Sequence, residues 1–174
     1  MRVRILVTAF LALALATYLV ARPAEGSDKT HFKATLGSYS EVPTNSTTGQ
    51  GDLDLRIDDS AKTITFTLTY SGLAAPATAA HIHLGARSTN GSVSVYFCGG
   101  GGQGPCPPGT SSEATVTGTI TAANVLGPIP QGIAPGEFDE LVAAIRAGVT
   151  YANVHSVLFP PGEIRGHIRG GHGR

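Results

Sequence analysis

Two histidines two residues apart, in Ala80-His81-Ile82-His83-Leu84-Gly85, are the first residues of this chain whose types and spacing could do chemistry. On an extended strand, residues i and i+2 project from the same face, so both rings would point the same way. Neutral imidazole is the commonest protein ligand for zinc and copper, and three or four rings converging from neighbouring strands complete a site. His155, in Tyr151-Ala152-Asn153-Val154-His155, and His167, in Gly162-Glu163-Ile164-Arg165-Gly166-His167, stand on two further expected strands. The candidate metal ligands are therefore His81, His83, His155 and His167, and the candidate metals copper or zinc.

The same strands also support an arrangement without a metal. Asn153, Glu163 and Arg165 share the faces expected of the histidines, so His81, His83, Asn153, His155, Glu163 and Arg165 could form one buried hydrogen-bonded cluster, structural or lining a binding pocket. Arg165 is a poor neighbour for a cation. The two arrangements separate on geometry: a metal needs the rings to converge on one point, with no guanidinium directed into it.

Other chemistries find no support. Gly99-Gly100-Gly101-Gly102-Gln103-Gly104 is glycine-rich but lacks the Lys-Ser/Thr ending and the helix of a phosphate-binding loop. No Gly-x-Ser-x-Gly elbow occurs, and Asp52 and Asp54 read as solvated carboxylates on a polar strand face. No catalytic residue is assigned, and the chain reads as a non-enzymatic binding or structural module, with a copper/zinc-binding, redox-active metalloprotein as the alternative. Twelve Lys plus Arg against twelve Asp plus Glu give a net charge of zero. That balance gives no basic groove for nucleic acid.

The elements that must position these residues are short strands. Residues 31–36 alternate Phe32, Ala34 and Leu36 with polar positions, 51–57 alternate Leu53, Leu55 and Ile57, and 63–70 alternate Ile64, Phe66, Leu68 and Tyr70. Asp58-Asp59-Ser60-Ala61-Lys62 is a turn, so the last two runs form a hairpin. Further strands are expected over 81–84, 92–97, 114–120, 150–157 and 163–168. One segment breaks the period of two: Phe138, Leu141, Val142 and Ile145 recur at helical spacing, after Pro135-Gly136 and before Gly148, which predicts an amphipathic helix over 137–147. Turns every 8 to 15 residues with no βαβ alternation predict an all-β fold. The expected architecture is an antiparallel Greek-key β-sandwich or barrel, immunoglobulin- or superoxide-dismutase-like, carrying one short helix.

The front of the chain carries an address. Arg2 and Arg4, an apolar run from Ile5 to Ala21 and then Ala24-Glu25-Gly26 follow the order of a secretory signal peptide over 1–26. An uncleaved anchor is the alternative, and membrane contact would then come only through that segment. Cleavage after Gly26 removes Arg2, Arg4, Arg22 and Glu25, leaving nine basic and eleven acidic residues and a net charge of minus two. Export makes a disulfide the expectation for the two cysteines, Cys98 and Cys106, with a metal-binding thiol pair as the alternative. Closing so short a ring contributes about 2 to 3 kcal/mol in the loop-entropy account. Asn45-Ser46-Thr47 and Asn90-Gly91-Ser92 match the glycosylation acceptor pattern and mark surface loops. Residues 170–174, glycine-rich and polar, read as a flexible tail.

Several segments in order carry a family resemblance. Phe32-Lys33-Ala34-Thr35-Leu36, Glu41-Val42-Pro43, Gly72-Leu73, Ala80-His81-Ile82-His83-Leu84-Gly85, Asn90-Gly91, Tyr151-Ala152-Asn153-Val154-His155 and Gly162-Glu163-Ile164-Arg165-Gly166 together resemble the CHRD (chordin) domain, over about residues 30–168. The resemblance implies an exported β-rich module over 27–169, secreted, extracellular or periplasmic, whose partner is an extracellular protein or surface ligand. It does not imply growth-factor antagonism, because the cysteine-rich modules of chordin are absent here. Two departures stand out. His167 occupies a position where the family commonly has Gln, and the ring from Cys98 to Cys106 is not a general family feature. The His-x-His strand also looks like the corresponding element of copper/zinc superoxide dismutases, an analogy of one strand that transfers no activity.

Overall fold

The computed structural model describes residues 30–171. The expected export segment, 1–26, and residues 172–174 of the expected tail lie outside them. No helix among the described residues is long and apolar enough to cross a membrane.

Nine antiparallel strands form one nearly closed, barrel-like sheet: β1 His31–Gly37, β2 Gln50–Asp58, β3 Thr63–Ser71, β4 Ala77–Leu84, β5 Ser92–Cys98, β6 Ala114–Ile120, β7 Thr150–Ser156, β8 Ile164–His167 and β9 Arg169–Gly170. The hydrogen-bonded order is β5-β4-β7-β8-β1-β2-β3-β6, with β9 added to β1. The seam lies between β5 and β6. Phe97 of β5 and Phe66 of β3 pack together in the core, 4.7 Å apart between ring centroids. Counting that seam as a neighbour, β4, β5 and β6 run side by side and β7 returns beside β4, which is the Greek-key order. The all-β barrel expectation therefore holds. Gly170 and Gly171, read from sequence as the start of a tail, hydrogen-bond to β1: Gly170 pairs with Phe32, and the Gly171 N–H donates to the His31 carbonyl at 2.9 Å.

The β2–β3 hairpin follows directly from residue type. Leu53, Leu55, Ile57, Ile64, Phe66 and Leu68 alternate into the core with exposures of 4% or less, while Asp and Thr residues face out. The turn is closed by Asp58, whose Oδ1 accepts from the Ser60 N–H (3.0 Å), the Ser60 hydroxyl (2.6 Å) and the Ala61 N–H (2.9 Å), which is what a short acidic side chain does best in a turn. Helix α1, Phe138–Arg146, is the expected amphipathic helix within one residue at each end. It buries Phe138, Leu141, Val142 and Ile145 and places Asp139 and Glu140 in its first turn and Arg146 in its last, the polarity the helix dipole favours. Lys62 to Asp139 (2.7 Å) and Arg146 to Asp59 (2.6 Å) tie it to the hairpin turn. Such solvated pairs contribute under about 1 kcal/mol each, so the apolar face holds the helix in place.

The strands around the histidines behave differently. In β4, β7 and β8 both faces are buried: Ala80, Ile82, Ala152, Val154 and Ile164 face the core, and His81, His83, Tyr151, Asn153 and Arg165 face outward yet are at most 8% exposed. Two loops roof that outer face. Asn90 Nδ2 of the 85–91 loop donates to the Val42 carbonyl of the 38–49 segment at 3.1 Å, joining one roof piece to the other.

Candidate metal centre

Register brings the histidines together. In the β4–β7 pairing His81 stands opposite Asn153, His83 opposite Tyr151 and Ala79 opposite His155, so the three rings rise from one face on successive same-face pairs of the ladder. One ring nitrogen from each of His81, His83 and His155 lies within 4.8 Å of the other two, the only such group of three metal-ligating side chains among the described residues. His81 Nδ1 is 3.3 Å from His83 Nε2. Two nitrogens each about 2.0–2.1 Å from one tetrahedral ion are separated by about 3.3 Å, so that pair already has ligand spacing.

The tautomers follow from the partners. His83 Nδ1 lies 3.0 Å from the Gly91 carbonyl, and His155 Nδ1 lies 2.7 Å from the Pro160 carbonyl. A carbonyl only accepts, so both Nδ1 atoms carry the proton and both Nε2 atoms present a lone pair. Donation of the remote ring N–H to a backbone carbonyl is the arrangement that orients and strengthens imidazole ligands. His81 Nε2 and His155 Nε2 are buried without a hydrogen-bond partner. Burial pushes His81 down to about 3, with the neighbouring His155 and His83 adding to it. It pushes His83 down to about 4 against the opposing pull of the Gly91 carbonyl, and lowers His155 likewise. The cluster is therefore three neutral imidazoles at physiological pH, the protonation state that binds metal.

Aromatic rings wall the cluster. Tyr96 of β5 stands edge-on to His81 at 4.3 Å, and Tyr151 stacks on His83 with ring planes within 2°. The Tyr151 hydroxyl accepts from the Gly91 N–H at 3.1 Å, so Gly91 holds His83 through its carbonyl and Tyr151 through its amide. Only glycine fits there, because a Cβ would sit 1.7 Å from the Leu84 carbonyl oxygen. Tyr96 and Tyr151 were missed as site residues, although Tyr151 is four residues before His155 on the same strand face. Gly91 and Pro160 contribute carbonyls, which leave no mark in a sequence.

The other expected members form a separate layer. Arg165 makes its polar contacts outside the triad, though its charge still helps to lower His83 and His155: its Nε is 3.2 Å from Glu41 Oε2, its Nη1 donates to the Thr89 carbonyl at 2.9 Å and its Nη2 to Asn90 Oδ1 at 2.7 Å. Its guanidinium lies 4.0 Å over the Tyr151 ring. Asn153 Nδ2 donates to Glu41 Oε1 and, at 3.1 Å, to the Ile164 carbonyl. Glu163 accepts from the Ala74 N–H at 2.7 Å and from the Ser156 hydroxyl, stapling the β3–β4 connection to β7. The expected single cluster thus resolves into a histidine triad and a carboxylate–guanidinium–amide layer beside it. Glu41, 3% exposed, was named in the sequence only as part of a family segment. Burial outweighs the Arg165 charge and holds its carboxyl above the usual range.

His167 does not join the triad. Its ring lies beyond Tyr151, 5.7 Å away between centroids, because on β8 it pairs with Tyr151 rather than with a histidine. The four-histidine set reduces to His81, His83 and His155. Cys98 and Cys106 are joined in a disulfide, as expected, and so are not metal ligands. The Gly100 and Gly101 backbone of their ring lies against Tyr96, where a Cβ would meet the aromatic ring at 2.5 to 2.8 Å.

No curated protein matches this sequence. The model of the CHRD domain matches residues 32–168, a span that begins in β1, ends beside β9 and contains the triad and its supporting layer. With strand order, buried polar face and family match covering the same residues, the chain belongs to the CHRD domain family.

Proposed function

We propose that this CHRD domain is an exported, non-enzymatic binding module whose ligand is a copper or zinc ion held by His81, His83 and His155. The observation that carries the reading is the pair of Nε2 lone pairs on His83 and His155, each aimed by a backbone carbonyl on the far side of its ring, beside a His81 nitrogen already 3.3 Å from one of them. Three protein nitrogens leave a fourth coordination position open to water or an exogenous ligand. No carboxylate stands among the triad, and the nearest guanidinium, Arg165, is occupied by Glu41, Thr89 and Asn90. The disulfide fits an oxidising compartment, in keeping with export.

The competing reading makes the triad a purely structural hydrogen-bonded group, with an extracellular protein or surface ligand bound elsewhere. The orphaned nitrogens favour the metal, because a structural cluster should satisfy its buried polar atoms.

The test is metal content of the protein purified without a histidine tag or chelator, alongside His155→Gln and the double variant His81→Ala, His83→Ala. Near-stoichiometric copper or zinc, lost in a variant that still melts cooperatively, is the expected result. Protein that remains metal-free after both ions are supplied, with melts unmoved by chelator, makes the histidines scaffold.

A further inference from the structure

Two adjoining open depressions, about 370 and 360 Å³, run along the outside of β1 and β8 and share Ser40, Arg87 and His167. Together they form a groove in the size range of ligand sites. The first is rimmed by Tyr39, 77% exposed, and the second by Lys33 and Arg169.

The charge of this groove is not what composition would give. Among the described residues Lys33 and Arg56 pair with Asp54, Lys62 with Asp139, Arg146 with Asp59 and Arg165 with Glu41. Arg87 and Arg169 have no carboxylate partner among the described residues, and both line the groove. The one carboxylate in the lining, Glu41, is buried against Arg165 and offers no counter-charge. A chain of zero net charge thus places two arginines without a carboxylate partner among the described residues on one concave surface, with Lys33, paired to Asp54, at its edge. Guanidinium groups left unpaired over a concave, hydroxyl-bearing surface are suited to bidentate capture of carboxylate or sulfate.

We propose that this groove binds an acidic polysaccharide segment, Arg87 and Arg169 taking its carboxylate or sulfate groups and the exposed Tyr39 ring taking the apolar face of a sugar. The two adjoining depressions are open, which suits a chain lying over them rather than an enclosed metabolite. The hydroxyl lining, from Ser40, Thr44 and Ser88, suits a polyol. Duplex nucleic acid is disfavoured, because tight binding there draws on many phosphate contacts and this surface supplies two unpaired guanidinium groups. The site is separate from the triad, and neither assignment depends on the other.

Affinity electrophoresis of the purified full chain tests it, with gels containing polygalacturonate, dextran sulfate, neutral dextran or duplex DNA. Retardation by an acidic polysaccharide and not by neutral dextran is expected, weakened at least ten-fold in Arg87→Glu, Arg169→Glu and severalfold in Tyr39→Ala, with melting temperature unchanged. Should the charge-reversed variant fail to fold, Arg87→Gln, Arg169→Gln is read in the same gels. Unretarded protein, or full retardation of the substituted variants, overturns the site. Equal retardation by duplex DNA overturns the saccharide assignment and leaves a charge-only surface.

Discussion

Tyr151 lies flat on His83, ring centroids 4.8 Å apart, while the Arg165 guanidinium rests 4.0 Å over the Tyr151 ring. One tyrosine thus joins the histidine triad to the charged layer beside it. Tyr151→Phe keeps the stack but removes the partner of the Gly91 N–H. A loss of about 1–2 kcal/mol in urea unfolding is expected. Because Gly91 also orients His83, zinc or copper affinity should fall severalfold in the same variant, read by titration against a chromophoric chelator.

Glu41 and Arg165 are a buried ion pair, each side chain 2% exposed. Removing one partner leaves a buried charge without compensation, so Glu41→Ala should destabilise by about 3–5 kcal/mol. The double variant Glu41→Gln, Arg165→Met should lose less than the two single changes together. A double-mutant cycle from chemical denaturation checks this, and additive losses would show that the pair is not coupled.

Gly91 makes a steric prediction. With a Cβ placed 1.7 Å from the Leu84 carbonyl oxygen, Gly91→Ala requires the 85–91 loop to move. A loss above about 2 kcal/mol in thermal or chemical melts is expected, in contrast to Gly102→Ser. No atom stands within 4 Å of the Cβ position at Gly102, and its φ of 80° should cost only about 1 kcal/mol.

The pH dependence has a definite sign. His81 and His83 are pushed down to about 3 and 4 in the folded protein, so below their ordinary value of 6.5 the unfolded chain binds more protons than the folded one. Stability of the metal-free protein should therefore be full above pH 6.5 and fall as pH drops towards 4, by up to about 1.4 kcal/mol per histidine per pH unit. Glu41, raised by burial, works in the opposite sense across the carboxylate range, so the histidine effect is read most cleanly between pH 5 and 6.5. His81→Gln, His83→Gln should flatten the slope in that window, and an unchanged slope would reject the assignment.

Much of this was legible in the sequence because local patterns report local physics. Alternation of Leu53, Leu55 and Ile57 with aspartates marks a strand with one wet face, and Phe138, Leu141, Val142 and Ile145 mark a helix, because each pattern must present one apolar surface to the core. His81 and His83 could be placed on one face by the period of two alone. Their third partner required the antiparallel register of β4 with β7, which sets Ala79 rather than His81 opposite His155 and moves His167 behind Tyr151. The carbonyls of Gly91 and Pro160, which fix the two tautomers, come from loops whose paths depend on the whole barrel, and every residue has a carbonyl. Residue type and spacing determined which side chains could bind a metal and which strands carry them. Tertiary structure decided which three meet, which lone pairs are free and that Arg165 is directed to Glu41, since strand pairing and loop closure act between residues far apart in the chain.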